Sequence, residues 1–440
     1  MKHSRFAEEL YQKLTNEEDA RVCKAIEERA CREVPGNFLL MILSHFLTKC
    51  GDTLTNPKIV MPWVFQAVAA PVAFIGFLVP IRESGSLLPQ LMIAAFVRGR
   101  ALRKWIWVLG SVLQAGAVLA MAGTVLTLSG ALAGWTLLVL LVVFSLARGL
   151  CSVASKDVLG KTIPKTRRGQ INGWSASAAG LVTVVFAVWL FLQRDRIEFG
   201  PSDCALLLAV AGAFWLLAAV VYAMIREFPG ATSGGANALA TAFGSLGLLV
   251  KDKPFRRFVI TRAMLLCSAL TAPYIVALAQ QEVGTEAYML GLFLLASGAA
   301  SLISAPAWGR FADRSSRLVI MFGAAMTASV AASVALAFWM MPAVLALPWM
   351  LPLAYFFLAL AHQGVRVGRK TYVVDLAEGD QRTDYVAVSN SVIGVVLLLL
   401  GGSGWIASVF DIATAIAFLS TLGAMGAWLA RSLPEVQSRP

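Results

Sequence analysis

Seven charged residues stand within or beside long apolar stretches of the chain, where a charge is costly unless it faces a cavity or a partner. Basic groups at such a depth can hold a carboxylate or a phosphate, and a carboxylate can take up and release a proton. The residues are Lys49, Lys58, Arg82, Arg148 and Arg366 among the bases, and Asp52 and Glu83 among the acids. They are therefore candidates for solute binding and proton transfer.

The spacing of these residues also allows a purely structural interpretation. Lys49 and Asp52 are three positions apart, so a helix would place them on one face and allow a local ion pair. Arg82 and Glu83 are adjacent and would point about 100° apart in a helix, so each should find partners on other segments. Counting inward along the first two apolar segments puts Asp52 and Arg82 at comparable depth. A buried ion pair that joins these segments and a role in transport are both open.

The composition says what must position these residues. The 440 residues are 58% hydrophobic and 14% charged, and the mean hydropathy is +0.73. A soluble protein of this size does not need so much apolar surface, so we predict an all-α integral membrane protein with about 20 residues per span. The six cysteines have no CxxC spacing and are interpreted as small buried hydrophobes. With three histidines, we expect neither a metal site nor a cofactor.

The apolar pattern predicts twelve transmembrane helices. The first span, 37–64, is interrupted between Lys49 and Lys58, where Gly51 and Pro57 are expected to break the helix. The first 36 residues are polar and do not form a signal peptide. The other spans are predicted near 71–97, 104–128, 133–158, 170–192, 203–225, 256–279, 287–308, 318–340, 348–370, 385–408 and 411–431.

These spans predict a chain of five parts. Thr15 opens a capping-box pattern, so a helix is predicted in the N-terminal extension. A Gly-, Ala- and Ser-rich stretch near the middle is interpreted as a linker. The parts are a cytosolic extension (1–36), a six-helix bundle (37–226), a cytoplasmic linker (227–254), a second six-helix bundle (255–431) and a cytosolic tail (432–440).

The distribution of charge predicts the orientation. The formal net charge of +12 comes from Lys and Arg clusters in the short loops on one side of the predicted spans, the side of both termini. The loops on the other side carry only Arg194 and Arg196. By the positive-inside rule, both termini are cytoplasmic and the protein lies in the cytoplasmic (inner) membrane. No basic patch with interleaved aromatic residues indicates nucleic-acid binding.

An internal repeat relates the two halves of the chain. A shift of 214 residues without a gap aligns the region from the second loop to the fifth span with the corresponding region of the second half. Fixed periodicity of this kind indicates a repeated structural unit. The aligned pairs are Arg100 and Arg314, Arg103 and Arg317, Lys156 and Lys370, Arg168 and Arg382, Ser175 and Ser389, Ser177 and Ser391, and Gly180 and Gly394.

The stretch Gly309-Arg-Phe-Ala-Asp-Arg-Ser-Ser-Arg317 lies between two long apolar runs. It resembles the loop Gly-x-Leu-Ala-Asp-Arg-x-Gly-Arg of the major facilitator superfamily, with Phe311 in place of Leu and Ser316 in place of the second Gly. Residues 148–157 and 164–174 also look like the fourth-span arginine motif and the following loop of that superfamily, whereas its proline-containing fifth-span motif is absent. The positions that match the first loop are Gly309, Ala312, Asp313, Arg314 and Arg317.

The resemblance implies two six-helix bundles related by a pseudo-two-fold axis along the membrane normal, with a solute site between them. Gly309 is expected to let two helices come close, and Asp313 to cap a helix or to pair with an arginine. The loop would then act as a conformational latch, so Gly309, Asp313, Arg314 and Arg317 are the predicted gating residues.

The remaining roles follow from the charges in the spans. The fourth span offers Arg148 no acid before Asp157, so its guanidinium is expected to take a substrate anion. His362 stands at the repeat position of Arg148 and is interpreted as a packing residue. The predicted substrate-binding residues are Arg148, Arg82 and Lys49, the predicted proton-coupling residues are Asp52 and Glu83, and Arg366, Arg369 and Lys370 are expected at the cytoplasmic mouth.

The sequence thus predicts a secondary active transporter that works by alternating access, with a proton or another ion as the coupling partner. An excess of bases over acids in the spans favours a small substrate with an anionic group, and a monomer surrounded by membrane lipid is expected. No HExxH, GxSxG or P-loop pattern is present, so an enzyme or an ATP-driven pump is not expected. The alternatives are an exporter of amphipathic or cationic compounds and a non-transporting or lipid-handling relative.

Overall fold

The computed structural model describes residues 11, 32–192, 199–230, 232, 247–376 and 381–437. Within these ranges the chain forms helices joined by turns, and the short helical segments are Val72–Phe74, Lys165–Arg167, Leu248–Lys251 and Pro342–Leu345. The longer helices are α1 (Val34–Leu54), α2 (Val60–Ala67), α3 (Ile75–Leu87), α4 (Gln90–Arg98), α5 (Lys104–Thr127), α6 (Gly130–Thr162), α7 (Arg168–Leu192), α8 (Pro201–Ala223), α9 (Lys253–Met264), α10 (Cys267–Glu282), α11 (Ala287–Arg314), α12 (Ser316–Met340), α13 (Met350–Leu376), α14 (Gln381–Leu400), α15 (Ser403–Val409) and α16 (Ile412–Ala430).

The helices confirm a multi-pass membrane protein with an all-α fold. In the part of the chain that is described, ten helical spans are long and apolar enough to cross a bilayer, where α9 with α10 and α14 with α15 each count as one span. The number is eleven if α3 and α4 also form one span, bent by 42°. The helix α1 lies outside this set, since it carries several polar residues. The count of twelve therefore stays a prediction. The predicted N-terminal helix and most of the predicted linker lie outside the described residues.

The first predicted span is broken at Pro57, one of the two residues expected to break it, and not at Gly51. Gly51 lies inside α1, so the prediction that it breaks the helix was wrong. Its missing side chain instead lets Trp215 of α8 approach, because a Cβ atom at Gly51 would lie 3.1 Å from the indole ring. The chain leaves the helix at 55–59, around Pro57, where Asn56 Oδ1 accepts a 2.9 Å hydrogen bond from the Lys58 backbone N–H.

The two halves of the chain pack their helices in the same pattern. In the first half (α1–α8), α5 packs against α6 and α8, α1 packs against α7 and α8, and α3 packs against α6. In the second half (α9–α16), α12 packs against α13 and α16, α10 packs against α16, and α11 packs against α13. The sequence repeat is thus also a repeat of helix packing, although the predicted domain boundaries stay predictions.

The halves meet closely at one side of the bundle. Because successive spans alternate in direction, the ends of the described chain lie on one side, called here the terminal face, and the turns at 68–74 and 410–411 lie on the other, called the opposite face. Near the opposite face, a Cβ atom at Gly404 would lie 2.0 Å from the Ala73 carbonyl oxygen, and one at Gly291 would lie 2.8 Å from that of Ala187. Glycine at these two positions permits close contact between the halves near the opposite face.

Candidate functional site

A polar cavity lies between the two halves and consists of two chambers that share part of their lining. The first chamber has a volume of about 440 Å³ and the second, nearer the terminal face, has about 450 Å³. The break between α1 and α2 supplies Lys58, and α3, α6, α10 and α13 supply the other shared residues. The shared residues are Lys58, Glu83, Ser86, Ser152, Ser268, His362 and Arg366.

Three charged residues of the first half form an ion-pair cluster in the first chamber. Arg148 Nη1 and Nη2 donate to Asp52 Oδ1 and Oδ2, each at 2.5 Å. Arg82 Nη2 donates to Asp52 Oδ1 at 2.9 Å, and its guanidinium lies 4.6 Å from the centre of the Phe144 ring. The expected equal depth of Asp52 and Arg82 is confirmed. The cluster links α1, α3 and α6, as the structural interpretation predicts, and the role of these charges in transport stays a prediction.

The cluster changes the expected surroundings of two predicted site residues. Arg148 was expected to lack an acid, whereas Asp52 from a helix 96 positions away takes both ends of its guanidinium. Lys49 is half-buried on α1 and forms no ion pair within the described part of the chain. It is also not among the residues that line either chamber, so the local pair of Lys49 with Asp52 is not formed.

A second polar cluster joins the two halves across the cavity. Lys58 Nζ lies 2.9 Å from His362 Nε2, and His362 Nδ1 lies 3.0 Å from Ser268 Oγ. Since the lysine ammonium can only donate, His362 Nε2 accepts and Nδ1–H donates to Ser268. The Ser268 hydroxyl in turn donates to the Leu265 carbonyl oxygen at 2.9 Å. His362, at the repeat position of Arg148, thus has a hydrogen-bond partner at each ring nitrogen.

The second chamber is strongly basic. Arg366, Arg369 and Lys370 of α13 line it, on the side of the terminal face. Arg262 and Lys156 also line it, and the sequence argument missed both. Arg262 donates through Nη1 to Ser389 Oγ and through Nη2 to Asn390 Oδ1, the latter at 2.9 Å. Arg262 is a charged residue inside the predicted span 256–279, and this position could have identified it as a candidate.

The charges that line the two chambers are unbalanced. Eight basic side chains face two carboxylates, so the lining carries a large positive excess. Glu83 is exposed to the cavity and forms no ion pair with the residues that the structure describes. A cavity of this kind attracts an anion. The basic residues are Lys58, Arg82, Arg148, Lys156, Arg262, Arg366, Arg369 and Lys370, and the acidic residues are Asp52 and Glu83.

The segment from Gly309 to Arg317 is mostly helical, which corrects its interpretation as a loop. α11 continues to Arg314, and Ser315 alone separates it from α12. Ser315 Oγ caps α12 by accepting from the Leu318 backbone N–H at 3.2 Å, so the cap is not Asp313. Asp313 is exposed and has no ion pair among the described residues. A Cβ atom at Gly309 would meet nothing within 4 Å, so Gly309 does not mark a close helix contact.

The C-terminal tail supplies the acid for this segment. Arg317 Nε lies 3.2 Å from Glu435 Oε2, and Ser315 Oγ donates to the same carboxylate oxygen at 2.7 Å. Gln437 accepts from the Ser316 backbone N–H at 3.1 Å. In this structure Arg317 therefore pairs with Glu435 of the tail and not with Asp313.

Comparisons with solved structures agree with this architecture. A mutant of the nucleoside transporter NupG superimposes with a TM-score of 0.67 and 13% identity over 90% of this chain and 99% of that chain. The inward-open xylose transporter XylE from E. coli gives a TM-score of 0.65 and 12% identity, covering 92% of this chain and 98% of that chain.

A POT family transporter in complex with 5-aminolevulinic acid gives a TM-score of 0.67 and 10% identity, covering 90% of this chain and 95% of that chain. No protein-family model matches the sequence, and no curated protein sequence matches it. At these identities the similarity establishes the fold, which is that of the major facilitator superfamily transporters.

Proposed function

We propose that this chain is a secondary active transporter that carries a small solute with an anionic group by alternating access. The observation that supports this proposal most is the cavity between the halves, where eight basic residues face two acids. The structural neighbours include a xylose–proton symporter, a nucleoside transporter and POT family transporters, which supports transport of a small solute. The close contact of the halves near the opposite face and the chamber toward the terminal face are consistent with alternating access.

Arg148 and Arg82 are proposed to bind the substrate anion, and Asp52 to couple its binding to a proton. Both guanidinium groups are held by Asp52 in this structure. A substrate carboxylate or phosphate that takes over Arg148 would release the Asp52 carboxylate, which could then accept a proton. Glu83, exposed in the same cavity, is the second candidate for coupling. Lys49, one turn from Asp52, is proposed as an accessory cation at the edge of this site.

Gating and placement complete the proposal. Of the four predicted gating residues, Gly309, Asp313, Arg314 and Arg317, we propose that Arg317 controls closure at the terminal face, through its contact with the tail. The terminal face is proposed to be cytoplasmic, since its loops carry most of the Lys and Arg residues. We further propose a monomer in the inner membrane, with lipid around it and a proton or another ion as the coupling partner.

The test begins with the purified protein. Thermal shift against matched anionic and cationic metabolites identifies ligands, and counterflow in proteoliposomes then measures their transport. Anionic compounds should stabilise the protein, and Arg148→Lys, which keeps the charge but loses the two-pronged geometry, should weaken binding about tenfold. Arg310→Lys on the exposed end of α11 is the matched control. Ligands that are all cationic, or unchanged affinity in Arg148→Lys, would contradict the assignment.

One observation favours the lipid-handling or amphipathic-substrate alternative. A largely apolar chamber of about 300 Å³ lies between α1, α7 and α8, outside the charged cavity. Phe186, Trp189 and Phe214 contribute to its lining, together with Asp203. An acyl chain would fit such a surface. If long-chain anions stabilise the protein and their short-chain analogues do not, this alternative gains over the small-solute proposal.

A further inference from the structure

The second chamber contains more basic side chains than the carboxylate of Glu83 can neutralise. On α13, Arg366, Arg369 and Lys370 are spaced three and four residues apart, so they lie on one helix face where like charges repel. Lys58 enters from the break between α1 and α2, and electrostatic repulsion acts between it and both arginines. Glu83 is the single carboxylate among the residues that line this chamber within the described chain.

The carboxylate of the first chamber is not available to these cations. Both oxygens of Asp52 are occupied by Arg82 and Arg148. Lys58 Nζ contacts the neutral acceptor His362 Nε2 and forms no ion pair with the described residues. Six basic residues thus share one carboxylate in the second chamber, namely Lys58, Lys156, Arg262, Arg366, Arg369 and Lys370.

We propose that the substrate is a phosphorylated small organic molecule and that its phosphoryl group binds in the second chamber, against Lys58, Arg366 and Arg369. This inference rests on the proposed function. A single carboxylate would leave most of the positive excess in place, whereas a phosphate monoester brings a charge close to two and three acceptor oxygens. Arginine matches phosphate by its forked donors and lysine adds a mobile point charge.

The lining of the first chamber suits the organic part of such a molecule. It presents amide, hydroxyl and phenol groups from Asn56, Ser297, Tyr355 and Gln363, which can bind hydroxyl groups or a polar ring. Arg148, which Asp52 holds in this structure, lies at that end and would bind a second anionic or polar group once Asp52 releases it. Each chamber has a volume within the range of about 300–1,000 Å³ that small-ligand pockets occupy.

The experiment compares probes that differ only in the charged group. Binding of glycerol 3-phosphate, glycerate and glycerol to the purified protein is measured by calorimetry, and a panel of sugar phosphates and nucleoside monophosphates is measured alongside. At least one phosphate monoester should bind, and its unphosphorylated and carboxylate analogues should bind at least about tenfold more weakly. Affinity should fall with increasing salt, because several cations act together.

Variants assign the binding to the second chamber. Arg369→Gln and Arg366→Gln should each weaken the phosphate monoester about tenfold or more, whereas Arg257→Gln, on the exposed side of α9, should leave affinity unchanged. Both variants lose a repelling charge, so each is expected to fold, and size-exclusion chromatography verifies this. Equal affinity in Arg369→Gln and the parent protein would overturn the inference, as would the failure of every phosphate monoester to bind.

The outcomes separate this inference from the proposed function. If a neutral or monocarboxylate ligand binds and shows counterflow in proteoliposomes, the protein is a transporter and the phosphate inference is overturned. If a phosphate monoester binds as predicted but no bound ligand shows counterflow, the ligand class is supported and the transport proposal fails.

Discussion

The two halves of this molecule repeat one helix arrangement but treat their charges differently. In the first half, Arg148 is held by Asp52, and Arg103 lies 3.0 Å from Asp157 on α6. At the repeat position of Arg148 the second half has His362, which contacts Lys58 of the other half. The first half therefore pairs Arg82, Arg103 and Arg148 with acids of its own, whereas the second half leaves the cations of α13 facing the cavity.

The same contrast extends to the segments that correspond under the 214-residue shift. Arg103 finds its acid within its own half, whereas Thr371 stands at the repeat position of Asp157. Arg317, the counterpart of Arg103, instead pairs with Glu435 of the tail. Paired charges stabilise the fold, and unpaired charges in a cavity are free to bind a ligand. The comparison thus predicts a larger contribution to stability from the paired charges of the first half and a larger contribution to ligand binding from the cations of the second chamber.

The largest effect is expected for Asp52→Asn in the first half. Removing the carboxylate leaves two partly buried guanidinium groups without their acid, which should cost on the order of 3 kcal/mol in stability. Thermal unfolding in detergent, without ligand, measures the change. The double variant Asp52→Asn with Arg82→Gln should recover part of the loss, because one of the two stranded charges is gone. Unchanged thermal stability in the single variant would show that Asp52 is not a structural anchor.

Much of the fold could be predicted from the sequence, because each span is a local apolar pattern and the repeat is a direct alignment. The break at Pro57 was predictable from the proline, whereas the place of Gly51 inside the helix was not, since Gly51 packs against Trp215 of a helix far along the chain. Counting residues along the first two spans placed Asp52 at the depth of Arg82. The contact of Asp52 with Arg148 could not be predicted, because it depends on the rotation of the fourth span, which is set by packing. The ion pair of Arg317 with Glu435 could not be predicted either, because no local sequence pattern connects the tail to that segment.

The contact between the halves gives the next largest effect. Gly404→Ala would place a Cβ atom 2.0 Å from the Ala73 carbonyl oxygen, so the opposite face should open or the fold should lose about 2 kcal/mol. Gly309→Ala is the control, since a Cβ atom there meets nothing within 4 Å and alanine favours the helix. Thermal unfolding and cysteine labelling at the opposite face measure the two variants. Equal behaviour of the two would show that the glycine contact does not hold the halves together.

A smaller effect of opposite sign is expected in the second half. Arg369 is a buried cation that Glu83 attracts and that Arg366 and Lys58 repel, and its burial away from water outweighs the attraction, so with Arg369→Gln the ligand-free protein should gain on the order of 1 kcal/mol at low salt. The gain should shrink as salt rises, because ions screen charges in a hydrated cavity. Salt-dependent thermal unfolding without ligand provides the measurement. A loss of stability would mean that Arg369 is paired like the cations of the first half, and the contrast between the halves would fail.

The smallest effect concerns the tail. Arg317 and Glu435 are partly exposed, with side-chain exposures of 31% and 26%, so Glu435→Gln should cost about 0.5 kcal/mol or less. Its consequence for function should be larger than for stability, because the carboxylate also accepts from Ser315 at the cap of α12. If this contact holds the terminal face in one conformation, Glu435→Gln should change the labelling of a cysteine placed at Lys370, whereas Asp313→Asn should not, since Asp313 has no ion pair among the described residues. If Asp313→Asn changes the labelling and Glu435→Gln does not, Asp313 has the gating role and the tail is only a surface contact.

Asp157→Asn gives the matching test in the first half, where the partner of Arg103 lies on α6. A similar loss of stability, without a change in labelling, is expected.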